Sequence, residues 1–323
     1  MKAIVVQQTE GNPLVWADVP APKIAADEVL VDVFATALNR ADLMQRAGNY
    51  PPPPGASDIL GLEMAGRIAA LGSDVSGWQV GDRVCALLPG GGYAEQVAVP
   101  ADLLIPVPDD WTFAQAAAVP EVFLTAYVNL FMEAELQRGE KVLIHGGASG
   151  VGTAAIQLAH HAGCAVATTA GSDEKTAFCR ELGADVTINY RQDDFLAVVR
   201  EKFGGVDVIL DMVGANYFER NVELLNTRGR IVFIAAMSGA HVEVNLWLLL
   251  RRRLKLIGSV LRARSVAEKI AIKNAFMVQF WDAMQHGEIR PVIDSIFPIS
   301  RVEEAHQRMA ENKNIGKIVL KVR

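Results

Sequence analysis

The run Lys141-Val142-Leu143-Ile144-His145 passes directly into Gly146-Gly147-Ala148-Ser149-Gly150-Val151-Gly152, and an amphipathic segment follows. A buried strand that turns through glycines into a helix constrains the fold strongly. Glycines permit the tight turn and let the backbone approach a pyrophosphate. The N–H groups and dipole at the helix start favour negative charge. A glycine fingerprint alone is weak, because it also serves as a plain strand–helix turn. Here it heads a series. Runs rich in Val, Ile and Leu recur at 165–170, 186–190, 206–211, 230–235 and 254–259, with amphipathic segments near 151–162, 173–182, 193–202 and 216–225. The alternation predicts an α/β fold, a doubly wound parallel sheet covered on both faces, and assigns the loop to a dinucleotide. Gly147, Ser149 and Gly152 occupy the three positions of G-x-G-x-x-G, so the middle one is serine.

The chain before this series differs. Short strand-like runs at 3–7, 28–37, 65–71, 83–87 and 94–99 are separated by Pro and Gly, which suggests a small barrel-like β domain. Tyr50-Pro51-Pro52-Pro53-Pro54-Gly55 is a stiff, extended loop. A helical period covers 114–135. After about residue 260 the alternation stops, leaving helices near 266–285 and 301–311 and strands at 295–299 and 317–322. Their period does not say whether they form a separate tail or complete the first domain. With 323 residues, two domains are expected.

The second strand of the series ends at Thr169-Ala170-Gly171-Ser172-Asp173-Glu174-Lys175. NAD-selective sites place an acid at this strand end for the adenosine ribose. Gly171 and Ser172 stand there instead. Ser172 can donate a hydrogen bond, Lys175 brings a cation near the first helical turn, and Tyr190 can pack on the adenine. Those features favour NADPH. Lys175 as a surface residue and Tyr190 as a core aromatic are the plainer alternatives. Asp173 and Glu174 keep NAD open, although they read more simply as helix-start acids.

A net charge of -6 gives no reason to expect nucleic-acid binding. Arg251-Arg252-Arg253 with Lys255 is the one basic cluster; it suits a solvated helix end, with a phosphate or subunit contact as the alternative. Cys85, Cys164 and Cys179 are too dispersed for a disulfide framework or a thiolate zinc site, and are expected to be buried thiols in a reducing compartment. There is no signal-peptide pattern and no apolar stretch near the roughly 20 residues of a membrane span. A soluble, cytoplasmic protein is expected.

A zinc alcohol dehydrogenase draws its ligands from Cys, His and Glu in the first domain. At Gly61-Leu62-Glu63, where such enzymes carry Gly-His-Glu, the ligand position is leucine, and no cysteine precedes it. Glu63 is then a structural acid and no metal is expected. The histidines form no ligand spacing, and no nucleophile elbow occurs. A hydride acceptor that needs no metal must already be electron-poor, as a quinone or an activated double bond is.

At this point the chain resembles, over essentially its whole length, the zinc-free NADPH:quinone oxidoreductases of the medium-chain dehydrogenase/reductase superfamily. The resemblance is to the branch containing the tumour-suppressor-induced quinone oxidoreductase of animals. Asn39-Arg40-Ala41-Asp42-Leu43-Met44-Gln45-Arg46 with Gly48-Asn49-Tyr50-Pro51, Gly61-Leu62-Glu63, Gly90-Gly91-Gly92-Tyr93-Ala94-Glu95 and His145 to Gly152 carry it, together with Asn312 to Leu320. The resemblance implies a bilobal molecule. A GroES-like, β-rich catalytic domain comprises 1–120, a Rossmann NADPH-binding domain 121–260, and the segment 261–323 returns to the catalytic domain, with the active site in the cleft. It further implies that Asn39 and Tyr50 line the nicotinamide and substrate pocket as catalytic residues. Gly147, Ser149, Gly150, Val151 and Gly152 would hold the pyrophosphate, and Ser172, Lys175 and Tyr190 the 2′-phosphate end. Val213-Gly214-Ala215, Ile234-Ala235 and Ser259-Val260-Leu261 would line the nicotinamide half, and Asn314 would close over the cofactor. The family's homodimers commonly pair the last Rossmann strand, here near 254–259.

The function these readings support is metal-free hydride transfer from NADPH to a small-molecule quinone. An enone reductase on the same scaffold is the alternative enzyme. A non-catalytic NADPH-binding sensor is a third reading, against which the intact Asn39, Tyr50 and glycine loop argue.

Overall fold

In the computed structural model, which describes residues 1–323, the alternating run at 28–37 organises a β-rich unit made of Met1–Leu124, Leu261–Gln279 and Pro291–Arg323. Its first elements in chain order are β1 (Lys2–Val6), β2 (Leu14–Asp18), β3 (Glu28–Ala37), α1 (Arg40–Arg46), β4 (Glu63–Leu71), β5 (Arg83–Leu87), β6 (Gln96–Pro100), β7 (Ile105–Pro106) and α2 (Phe113–Ala117). The helix α3 (Pro120–Tyr127) leads out of this unit. The second unit, Thr125–Val260 with Phe280–Arg290, contains β8 (Lys141–Ile144), α4 (Gly150–His161), β9 (Ala165–Ala170), α5 (Asp173–Glu181), β10 (Val186–Asn189) and α6 (Phe195–Phe203). It continues with β11 (Val206–Asp211), α7 (Ala215–Leu224), β12 (Leu225–Phe233), α8 (Leu246–Arg252) and β13 (Lys255–Gly258). The chain ends with α9 (Val266–Gln285), β14 (Ile293–Pro298), α10 (Val302–Ala310) and β15 (Lys317–Lys321).

The period of two in β3 turns Val29, Val31 and Val33 inward, all fully buried with Met64, Ile68 and Val84. Each such side chain contributes roughly 1.5–3 kcal/mol on burial. The seven-stranded sheet runs β14-β15-β3-β4-β5-β7, with β6 also on β3. The last strand of the chain therefore pairs with β3, antiparallel, Val319 opposite Ala37. In the second unit a six-stranded parallel sheet has the order β10-β9-β8-β11-β12-β13. Here β8 is the first strand and the order reverses between β8 and β11, as in a doubly wound dinucleotide fold.

The helical period at 114–135 is not one helix. Pro120 has no N–H and its ring excludes the preceding turn, so α2 stops at Ala117 and α3 restarts with Pro120 at its first position. A π-helical turn, Val128–Glu133, follows. Two short elements, β2 and α1, have too few residues for periodicity to declare them.

Close backbone approach sets the β3–β4 register. A Cβ on Gly66 would collide with the carbonyl oxygen of Asp32 on β3. Gly66→Ala is expected to cost about 1–3 kcal/mol, read as a lowered urea midpoint with an unchanged slope.

Candidate active site

All strands of the second sheet are parallel, so their carboxyl ends share one edge, and ligands of such sheets bind beyond that edge where the order reverses. The residues expected at a dinucleotide follow those ends one by one. The loop from Gly146 to Gly152 follows β8, Gly171 and Ser172 follow β9, and Tyr190 follows β10. Val213, Gly214 and Ala215 follow β11, Ile234 and Ala235 follow β12, and Ser259 and Val260 follow β13.

Ser149 is the N-cap of α4, and its hydroxyl accepts from the Gly152 N–H at 3.0 Å. The serine at the middle fingerprint position thus anchors the first helical turn. The loop is closed on itself by Ser149 N–H to Gly146 O at 2.9 Å and Thr153 N–H to Ser149 O at 2.8 Å. A Cβ at Gly147 would strike Thr168 Oγ1, and one at Gly152 the carbonyl of Gly146. The first-turn N–H groups of Gly150 and Val151 have no intrahelical acceptor, which leaves them for an anion. A dinucleotide pyrophosphate fits this cradle.

At the end of β9, Gly171 lies under the phenol of Tyr190: an added Cβ would sit 2.6 Å from Tyr190 Oη. Tyr190 is 46% exposed, so it is not the core aromatic of the plainer reading. Ser172 caps α5 by accepting from the Lys175 N–H at 3.3 Å. Asp173 is taken up by Asn189 Nδ2 at 2.7 Å and Gln192 Nε2 at 3.3 Å, and these bonds hold its carboxyl below the usual range.

In the β-rich unit, Asn39 caps α1 next to a buried ion pair. Lys317 Nζ lies 2.7 Å from Glu63 Oε1, and it also donates to the Leu38 carbonyl and to Asn39 Oδ1, both at 2.6 Å. Asn39 Nδ2 donates to Glu63 Oε1 at 2.9 Å and to the Ala37 carbonyl at 3.3 Å. Both ends of the Asn39 amide are therefore occupied in holding Lys317 against Glu63. Glu63 Oε2 accepts from the Glu121 N–H at 2.8 Å. Asp42 accepts from the N–H groups of Asn39 and Gly61 at 2.8 and 3.1 Å and from the Tyr93 hydroxyl at 3.1 Å. Burial outweighs those bonds and the Lys317 charge, and raises Asp42 to about 6.

Tyr50 sits under a cation. The guanidinium of Arg262 lies 5.3 Å from its ring centroid, and Arg262 also donates to Pro89 O at 2.8 Å and Gln45 Oε1 at 2.7 Å. Lys269 Nζ donates to the Arg262 carbonyl at 2.7 Å. Burial, then the charge of Glu121, raises the Tyr50 phenol, so it is a neutral donor near pH 7. Leu261, buried, opens the same segment, and the Asn314 amide donates to Gly316 O at 2.7 Å.

Comparison with known proteins agrees with both halves. Residues 25–109 match the family described as the alcohol dehydrogenase GroES-like domain, and 150–276 match that described as zinc-binding dehydrogenase. The quinone oxidoreductase of Mus musculus is 30% identical over 99% of this chain and 97% of its own length. The chain belongs to the quinone oxidoreductase family of medium-chain dehydrogenase/reductases. Among solved structures, the quinone oxidoreductase of Thermus thermophilus, studied also in complex with NADPH, is 33% identical, with a TM-score of 0.84 over 100% of both chains. The CurK enoyl reductase is 28% identical, with a TM-score of 0.88 over 100% of this chain and 99% of its own.

Within this family the residues here do not fit a catalytic zinc. Leu62 offers no donor atom, Asn39 is committed to Lys317 and Glu63, and an ammonium lies against the Glu63 carboxylate. No three His, Cys, Asp or Glu side chains are grouped to hold a metal. Sequence reasoning identified Glu63 as structural and missed its partner. A lysine opening the strand β15 carries no local sign that it is buried. Arg262 was equally hidden, since nothing around it in sequence points to Tyr50.

Glu63 and Glu121 lie close enough in this cluster to repel each other, with the ammonium groups of Lys317 and Lys269 nearby. Glu121 has a buried carboxyl oxygen without a hydrogen-bond partner, and burial followed by the charge of Glu63 raises it to about 8. Its native state therefore holds a proton that the unfolded state releases above its ordinary range. Stability from this group is full below pH 4.5 and is lost as pH rises through about 8. Relative to Glu121→Gln, the wild type is expected to lose on the order of 1 kcal/mol per pH unit across that window, and nothing further above it. Urea titrations of both proteins at a series of pH values measure the difference.

Proposed function

We propose that this protein is an NADPH-dependent quinone reductase that uses no metal. The observation carrying the cofactor preference is the phenol of Tyr190 lying over Gly171, which fills the place of a ribose-binding acid. Asp173, the next acid along, is held by Asn189 and Gln192. Ser172, Lys175 and Tyr190 are then the 2′-phosphate end, and Gly147, Ser149, Gly150, Val151 and Gly152 the pyrophosphate cradle. Val213, Gly214, Ala215, Ile234, Ala235, Ser259, Val260, Leu261 and Asn314 are read as the nicotinamide side. When bound, NADPH supplies a hydride from C4 of its dihydronicotinamide.

Tyr50 is read as the hydrogen-bond donor to the acceptor's carbonyl oxygen, its ring fixed by Arg262. Asn39 serves by anchoring Lys317 and Glu63, since its amide hydrogens are already placed. The lack of a Lewis-acid ligand set favours an acceptor that is electron-poor by itself, which a quinone is. Likeness to the CurK enoyl reductase supports a second reading, reduction of α,β-unsaturated carbonyls.

A panel of quinones and enones with NADPH and NADH tests this. NADPH is expected to be the better donor and quinones the better acceptors; turnover of enones alone selects the second reading. Lys175→Ala is expected to raise KM for NADPH about tenfold and leave that for NADH unchanged. Tyr50→Phe is expected to lower kcat about tenfold at unchanged NADPH affinity. Full turnover in that variant would reduce Tyr50 to shaping its pocket.

The assembly we propose is a homodimer formed through β13, the edge strand of the parallel sheet. Beside it, Leu246, Trp247 and Leu250 are 67%, 73% and 65% exposed, an apolar patch unusual on a monomer's surface. Trp247→Glu is expected to give a monomer in sedimentation, against a wild-type dimer. We propose a cytoplasmic location; no helix is long and apolar enough to cross a membrane.

A further inference from the structure

Beneath the reversal point of the parallel sheet lies a chain of buried polar groups that the proposed chemistry does not use. His145, the residue after β8, is fully buried between Phe195 and Tyr217, whose ring centroids are 4.9 and 4.8 Å away. Its Nδ1 lies 3.0 Å from Thr169 Oγ1 on β9, and its Nε2 lies 2.8 Å from Asn221 Oδ1 on α7. Asn221 Nδ2 donates to Asp211 Oδ2, at the end of β11, at 3.2 Å. Asp211 Oδ1 accepts from the Val213 N–H at 2.6 Å, and both its oxygens lie 3.3 Å from the Gly214 N–H. At the other end, Thr169 Oγ1 accepts from the Gly146 N–H at 3.3 Å.

Only one set of proton positions satisfies this chain. A carboxylate accepts, so the Asn221 amide must turn its nitrogen to Asp211 and its oxygen to His145. An amide oxygen accepts, so His145 Nε2 carries a hydrogen. Burial lowers His145 to about 4, so near neutral pH the ring is neutral and Nδ1 is an acceptor. Thr169 therefore donates to Nδ1, and its oxygen remains free to accept from Gly146. The directed path runs from the first residue of the glycine loop, through the side chains of Thr169, His145, Asn221 and Asp211, to the two backbone N–H groups of the turn after β11. A space-filling core would use leucine here, since each buried polar group costs free energy unless fully paired.

We propose that His145 is a positioning residue that couples the glycine loop after β8 to the turn after β11. The pyrophosphate cradle and the nicotinamide-side turn are thereby set as one piece. This rests on the dinucleotide reading of the same loops. Gly214, with φ of +84°, and Gly146, with φ of +68°, take up positive φ without steric cost, and their freedom leaves the choice of conformation to the bonds they make. The path supplies one such bond to each N–H.

The test combines a titration with a spectrum. NADPH binding is followed by fluorescence for wild type, His145→Phe, Asn221→Leu and the double variant. Each single change is expected to weaken NADPH about tenfold or more, and the double variant is expected to be no weaker than the worse single one. An unchanged Kd in His145→Phe, or losses that multiply in the double variant, would overturn the coupling. Wild-type protein that binds neither NADPH nor NADH would remove the dinucleotide reading itself, and this inference with it. If the variants do not fold, nitrogen-15 spectra of the wild-type histidines decide. They are expected to show His145 as the neutral Nε2–H form at pH 7, and Asn221→Leu, where it folds, to release that preference. An Nδ1–H or charged His145 in wild type would overturn the proposal.

Discussion

Three distant parts of the β-rich unit are held by the buried ammonium of Lys317. Lys317 enters from the last strand, finds Glu63 on β4, and is boxed in by Asn39 at the start of α1 and the carbonyl of Leu38. A lysine almost wholly out of water is tolerable only when each of its hydrogens is placed. The three acceptors come from regions far earlier in the chain, so satisfying one charge pins β15, β4 and α1 together. Leaving Glu63 without its partner would cost roughly 3–5 kcal/mol. Burial, followed by the charge of Glu63, explains why the Glu121 carboxyl holds its proton even with Lys317 and Lys269 near it.

This arrangement shows how a metal-binding scaffold can be retained without its metal. The family shares a GroES-like unit with zinc enzymes, and Glu63 is still present, yet the neighbouring ligand position is Leu62. A permanent cation on a flexible stem stands against the carboxylate, bringing a positive charge but no open coordination position. Under the proposed function, polarisation of a substrate carbonyl would come from hydrogen bonds, with the Tyr50 phenol held by Arg262 as the donor.

The parallel sheet was legible because its strands are continuous apolar runs and its helices have a regular period. The glycine loop could be placed on the strand-to-helix turn from neighbouring residues alone. What the sequence withheld is long-range in origin. Nothing in the period of 317–321 says which sheet the strand joins, because pairing with β3 is a relation across almost the whole chain. Pro120 was visible, but the surrounding apolar period masked the break that its missing N–H imposes. The serine in the fingerprint looked like a departure from pattern until its hydroxyl was seen to cap α4. Asn39 looked free to meet a substrate, and only the position of Lys317 shows that its amide is already engaged.

The contact between Tyr190 and Gly171 has an evolutionary corollary. Because a side chain at position 171 would meet the end of the phenol, an acid introduced there requires the tyrosine to swing aside or to be replaced. A lineage moving toward the other dinucleotide is therefore expected to change positions 171 and 190 together. The glycine is thus less a relaxed position than one half of a coupled pair.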